Sequence, residues 1–178
     1  MTLRQSTLVL AFRDAATRYC SLLECVPDNR DRWVVDILEA LARLYCAAIA
    51  LPDVEVPDDA PESGDRFDVG DAQWRQIYEL ATNIFGWQKY YWAYFDPSAP
   101  PDAAGEPVCG DLADDLADIY RDVKPGIAAW DSFEDANVAN IVNGWKYPLF
   151  ESHWGVHAVS AMRALHPIAY LRGIQPRE

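Results

Sequence analysis

At 178 residues, with 51% hydrophobic and 12% aromatic residues, the chain has the composition of one ordered globular domain and not of a disordered segment. Its formal net charge of −13 excludes polyanionic partners, because nucleic acid and anionic membrane surfaces would both be repelled and no basic cluster breaks the pattern. The same acidity serves solubility, and it leaves a protein or small-molecule partner, cationic or neutral, as the one to expect.

Helical periodicity dominates the chain. Leu8, Phe12, Ala15, Tyr19, Leu22 and Leu23 recur at three- and four-residue steps and predict a first helix, which Val26-Pro27-Asp28-Asn29 interrupts. A second helix is predicted in DRWVVDILEALARLYCAAIAL. Trp33, Ile37, Leu41, Leu44, Tyr45 and Ala48 form its buried side, and the i,i+4 pairs Arg32–Asp36 and Glu39–Arg43 lie outside. So short a connection predicts antiparallel packing of the two.

Residues 52–70 carry three prolines and seven carboxylates with no apolar period, which is the pattern of a long surface loop. A third helix is predicted from Asp71 through Trp74, Ile77, Tyr78, Ala81, Ile84 and Phe85, with Gly86 as its C-terminal cap. The aromatic run WQKYYWAYFDP then reads as a short helix or wrapped segment closed by Asp96-Pro97, and a second Pro-rich loop spans about 96–108. A fourth helix, capped by Asp111, turns Leu112, Leu116, Ile119, Tyr120 and Val123 inward, and Pro125-Gly126 is expected to kink or end it. Residues 132–147 predict a fifth helix with Phe133, Val138, Ile141, Val142 and Trp145. Pro148 separates it from a sixth, Glu151 to His166. No strand-like alternation outlasts one turn, and no repeat of 20–50 residues is present. The expectation is an all-α, single-domain antiparallel bundle of five to seven helices with two long Pro-rich loops.

The cysteines, Cys20, Cys25, Cys46 and Cys109, form no CxxC pair and no zinc-like spacing. The opening MTLRQSTLVLAFRDAATRYC has one short apolar run and no small-residue cleavage site, so it does not read as a signal peptide. No apolar stretch approaches the ~20 residues of a membrane span. A cytoplasmic protein with free thiols is the expectation.

Two constellations bear on chemistry. At 100° per residue, Asp111, Asp115, Asp118 and Asp122 share an arc of about 60° on the fourth helix, where like charges repel unless something relieves them. Helix-start electrostatics account for the first two, leaving Asp118 and Asp122 least explained. On the sixth helix His153 and His157 stand four residues apart, to one side of the apolar stripe, where two imidazoles can bind a transition metal. Carboxylates Asp115, Asp118 or Asp122 from a facing helix would complete the shell around Zn²⁺ or a similar divalent ion. The plainer alternative is a solvated acidic face and a histidine pair hydrogen-bonded for structure. Trp154, Gly155 and Val156 stand where a HExxH metalloprotease needs its glutamate, so that mechanism is excluded. His166, before Pro167, reads as a helix-end residue. The aromatic run either packs as a lid over one end of the bundle or offers Trp87, Tyr91 and Trp92 to a partner.

Three stretches, DRWVVDILEALARLYCAAIALP, VCGDLADDLADIYRDVKPGIAAW and FESHWGVHAVSAMRALH, resemble a family of bacterial proteins of similar length that carries only a domain-of-unknown-function label. The resemblance runs from about Phe12 to His166. It implies an all-α single domain and a bacterial cytoplasmic protein, and it supplies no activity or site residues. It also implies a helix-forming residue where this chain has Pro125, which leaves the continuity of the fourth helix open. Two functions remain: an interaction module without catalysis, or a metal-dependent, hydrolytic bundle enzyme with an interhelical His/Asp site.

Overall fold

The apolar stripes of the sequence are the surfaces on which the helices meet in the computed structural model, which describes residues 2–57, 65–94, 98–100, 102–103, 105–130, 132 and 135–171. The long helices are α1 (Thr7–Leu23), α2 (Arg30–Ile49), α3 (Asp71–Phe85), α4 (Leu112–Trp130), α5 (Asp135–Lys146) and α7 (Trp154–Tyr170). A four-residue α6 (Leu149–Ser152) precedes the last of them. Asn29 starts α2 by accepting a hydrogen bond from the Arg32 N–H. The Trp33 indole, at the start of α2, donates to the Leu22 carbonyl at the end of α1, which fixes the two helices as antiparallel neighbours. Both expected ion pairs on the outer face of α2 are present, Arg32–Asp36 at 2.9 Å and Arg43–Glu39 at 2.8 Å.

Helix α4 occupies the middle and touches α1, α3, α5 and α7. Phe12, Tyr19, Leu41, Leu44, Leu116, Tyr120, Trp145 and Trp154 are fully buried in one continuous core. Each side chain of that size adds about 1.5–3 kcal/mol by leaving water. The polar atoms that go in with them are paired: the Tyr19 hydroxyl donates to the Leu116 carbonyl, and the Trp154 indole to that of Trp145. Among the described residues, no helix is long and apolar enough to cross a membrane.

Several local expectations are corrected. The aromatic run is not a helix: after a 3₁₀ turn, Tyr90–Ala93 forms β1, antiparallel to β2 (Val108–Asp111), with Tyr91 opposite Gly110 and Trp92 opposite Cys109. A Cβ on Gly110 would lie 2.3 Å from the Tyr91 ring, so that cross-strand position has room for glycine alone. Helix α4 does not end at Pro125 but continues to Trp130. The lost backbone bond is offset by burial of Ala129 and Trp130, the latter stacked on Trp145 at 5.8 Å. The last helix is broken at His153, whose φ/ψ of −135°/−89° is not helical, and beyond the break it runs past Pro167 to Tyr170. His166 is therefore inside the helix, its ring 5.2 Å from that of Tyr170. The described ends of the first loop hold a 3₁₀ turn and the buried Val69. Residues 58–64 of that loop, residues 95–97, 101 and 104 of the second, and Phe133 lie outside the described residues.

Cys20 is buried, and loss of solvent pushes its thiol pKa up to about 12, whereas Cys25, Cys46 and Cys109 are exposed. A disulfide reagent should therefore titrate three thiols in the native protein and the fourth only after denaturation. Four rapid thiols would contradict the packing of α1 against α4.

Candidate metal centre between α4 and α7

Three- and four-residue steps place Asp115, Asp118 and Asp122 along one side of α4. Helix α7 lies against it through small residues, with Gly155, Ala158 and Ala161 all buried. Gly155 is required by the break at His153, since a Cβ there would lie 2.1 Å from the Phe150 carbonyl oxygen. The break swings α6 aside without separating the two histidines. The His157 N–H still bonds the His153 carbonyl, and the imidazole centroids are 4.9 Å apart.

Each ring is held through Nδ1 by its own carboxylate: His153 by Asp122 Oδ2 at 2.6 Å, His157 by Asp115 Oδ1 at 2.7 Å. An ionised carboxylate only accepts, so in each ring Nδ1 is the nitrogen that carries the proton to it, and Nε2 is the nitrogen that has a lone pair in the neutral imidazole. His157 Nε2 stands 3.8 Å from Asp118 Oδ2. The other Asp118 oxygen accepts from the Trp74 indole at 2.7 Å and pairs with Arg121 at 3.3 Å, while the guanidinium lies over the Trp74 ring. One ligating atom each from Asp118, His153 and His157 lies within 4.8 Å of the other two. The donor set suits a divalent transition metal: imidazole nitrogen and carboxylate oxygen in a number that leaves coordination positions open.

Asp115 is the most buried of the three carboxylates, and besides His157 it accepts from the Tyr91 hydroxyl at 2.6 Å. Burial, then the hydrogen bond to Asp115, raise the Tyr91 pKa, so the phenol stays a donor. The hydrogen bond to Asp115 raises the His157 pKa against the opposing effect of burial. Asp122 is pushed up by burial, which the bond from His153 partly offsets. Asp114, one residue from the row, is pushed up by burial and by Asp118.

All five residues expected at a metal site thus converge, with Asp115 and Asp122 orienting the rings and Asp118 facing the gap. Asp111 does not join them. It caps Ala113 N at 2.9 Å and pairs with the buried Lys89, which with Tyr78 ties the hairpin to α3. The aromatic trio divides. Trp87 and Trp92 are 77% and 68% exposed, whereas Tyr91 turns inward to Asp115. Among the described residues of the run, Tyr91 packs against the core, while Trp87, Tyr90, Trp92 and Tyr94 are exposed and do not cover the bundle. Trp74 and Arg121 were not anticipated; the clue available was Trp74 at the third position after the Asp71 helix start, and it says nothing of a partner on α4.

The chain belongs to the family described as "Domain of unknown function (DUF5063)", whose model matches residues 4–171. It is similar in fold to the crystal structure of protein BF1032 from Bacteroides fragilis, a structural-genomics target, with 23% identity, complete coverage of both chains and a TM-score of 0.78. No curated protein matches the chain.

In metal-free protein, Asp115→Ala should cost about 1–3 kcal/mol, since it leaves the partly buried Tyr91 hydroxyl and His157 Nδ1 without their shared acceptor. Asp122→Ala should cost well under that, because its partner His153 is 45% exposed. Urea unfolding of the two variants tests the ranking, and equal losses would refute it.

Proposed function

We propose that this domain binds a divalent transition metal, with Zn²⁺ as the natural candidate, between α4 and α7, and that the centre serves hydrolysis. His153, His157 and Asp118 would be the ligands. The supporting observation is the pair of carboxylate-anchored imidazoles, each fixed through Nδ1 so that Nε2 is left for an ion beside Asp118. A surface histidine pair kept only for packing has no need of two dedicated carboxylates and a third one facing them.

The chain's own groups divide the work. Asp122 and Asp115 orient the rings, Trp74 and Arg121 hold one Asp118 oxygen and leave the other free, and Tyr91 shields Asp115 from water. An ion bound by three side chains would supply Lewis acidity and a hydroxide at neutral pH. Four unpaired thiols favour the reducing cytoplasm as the setting.

Untagged protein, stripped and re-equilibrated with Zn²⁺, should hold close to one equivalent by elemental analysis. His157→Ala should lose it, and Asp115→Asn should weaken binding about 10–100-fold. Wild-type protein without bound zinc, or zinc that survives His157→Ala, would refute the assignment.

The exposed indoles of Trp87 and Trp92 favour a second, compatible reading: a contact surface for a cationic protein segment, which the net charge of −13 would attract. The double variant Trp87→Ala/Trp92→Ala should leave thermal stability nearly unchanged and abolish the fluorescence response to an arginine-rich peptide. A collapsed fold, or an undiminished response from the remaining tryptophans, would remove this reading.

A further inference from the structure

Where α4 passes α5 and residues 67–69, a cleft of about 360 Å³ opens over Phe67, Val69, Pro125, Ile141, Trp145 and Leu149. That volume lies within the range of small-molecule sites, and the side chains beneath it are apolar. None of Asp118, His153 and His157 lines it, so it is a separate place from the candidate metal centre. Gly144 belongs to its wall, and a Cβ there would meet nothing within 4 Å, so the missing side chain leaves room.

Three charged side chains border the cleft, and two of them are already answered. The Arg121 guanidinium is committed to Asp118 at 3.3 Å and to the face of the Trp74 ring, and Asp122 is bonded to His153 at 2.6 Å. Asp68 is exposed, and no hydrogen bond or ion pair holds it among the described residues. It is the last of seven carboxylates in residues 52–70, a stretch whose one cation is Arg66, in a chain of net charge −13. A field of that sign concentrates cations at the rim and repels anions.

We infer that the cleft is a binding site for a small organic cation, a primary amine that carries an apolar ring. The ring fills the space beside Gly144, over Ile141 and Trp145, and the ammonium stays at the rim against Asp68. Held there it keeps part of its hydration, which avoids the cost of burying a charge. The site stands apart from the metal reading, because its lining needs no ion.

Benzylamine is the probe, with benzyl alcohol and benzoate as its uncharged and anionic counterparts. In zinc-free, untagged protein, benzylamine should move the Trp145 indole N–H resonance saturably. That proton is a local reporter, since the indole lines the cleft and donates to the Val123 carbonyl at 3.2 Å. Benzyl alcohol should bind about two- to fivefold more weakly, the range of one exposed charge pair, and benzoate more weakly again. Asp68→Asn should bring benzylamine down to the affinity of benzyl alcohol and leave benzyl alcohol unmoved. Gly144→Leu fills the space with a good helix former and should abolish the response to all three compounds. No saturable shift in the wild type, or a shift that survives in folded Gly144→Leu protein, overturns the site. A preference for benzylamine that is missing from the wild type, or unchanged in Asp68→Asn, overturns the cationic class. If Gly144→Leu does not fold, the comparison at the exposed Asp68 decides alone.

Discussion

Carboxylates carried into the interior by α4 must be answered by donors, and that demand organises the molecule around the central helix. Asp111, just ahead of the helix, and Asp115, Asp118 and Asp122 on it each have partners from other elements. Asp111 is met by Lys89 and Tyr78, Asp115 by Tyr91 and His157, Asp118 by Trp74 and Arg121, and Asp122 by His153. The hairpin, α3 and α7 are thereby tied to one face of α4, while its opposite face supplies Leu116, Ile119 and Tyr120 to the core. Polar matching and apolar packing therefore specify the same arrangement, which is what a uniquely folded bundle requires.

The same matching explains why the site serves both chemistry and stability. Without an ion, Asp115, Asp118 and Asp122 are already hydrogen-bonded or ion-paired by imidazole, phenol, indole and guanidinium groups, so none of the three stands without a partner. The groups that partner them leave two imidazole nitrogens and one carboxylate oxygen gathered at a single gap. Hydrogen bonds that support the fold are thus the ones that would aim ligands at a metal.

Helices α1, α2 and α3 and the core of α4 were legible because their apolar periods, Asn29 cap and i,i+4 pairs act within one or two turns of chain. The aspartate row and the histidine spacing were legible for the same reason, as rotation about a helix places them. What escaped depended on contacts distant in sequence. Pro125 obeys the burial of Trp130 against Trp145 more than its own preference, and the hairpin pairs residues nearly twenty positions apart across a Pro-rich connection. The break at His153 follows from Phe150 backing onto Gly155, a meeting that the sequence marks only by a glycine. Trp74 and Arg121 joined the site through a packing of α3 on α4 that no local pattern encodes.

The hydrogen bond from Tyr19 to Leu116 joins positions 97 residues apart, and it lies where α1 meets the central helix. During synthesis, the α1–α2 pair leaves the ribosome long before its counterpart exists. Its inward face, with Phe12 and Tyr19, stays uncovered until more than half of the polypeptide has been made. Burial of that face therefore waits on closure of the central helix over α1, and until then the growing chain presents apolar surface.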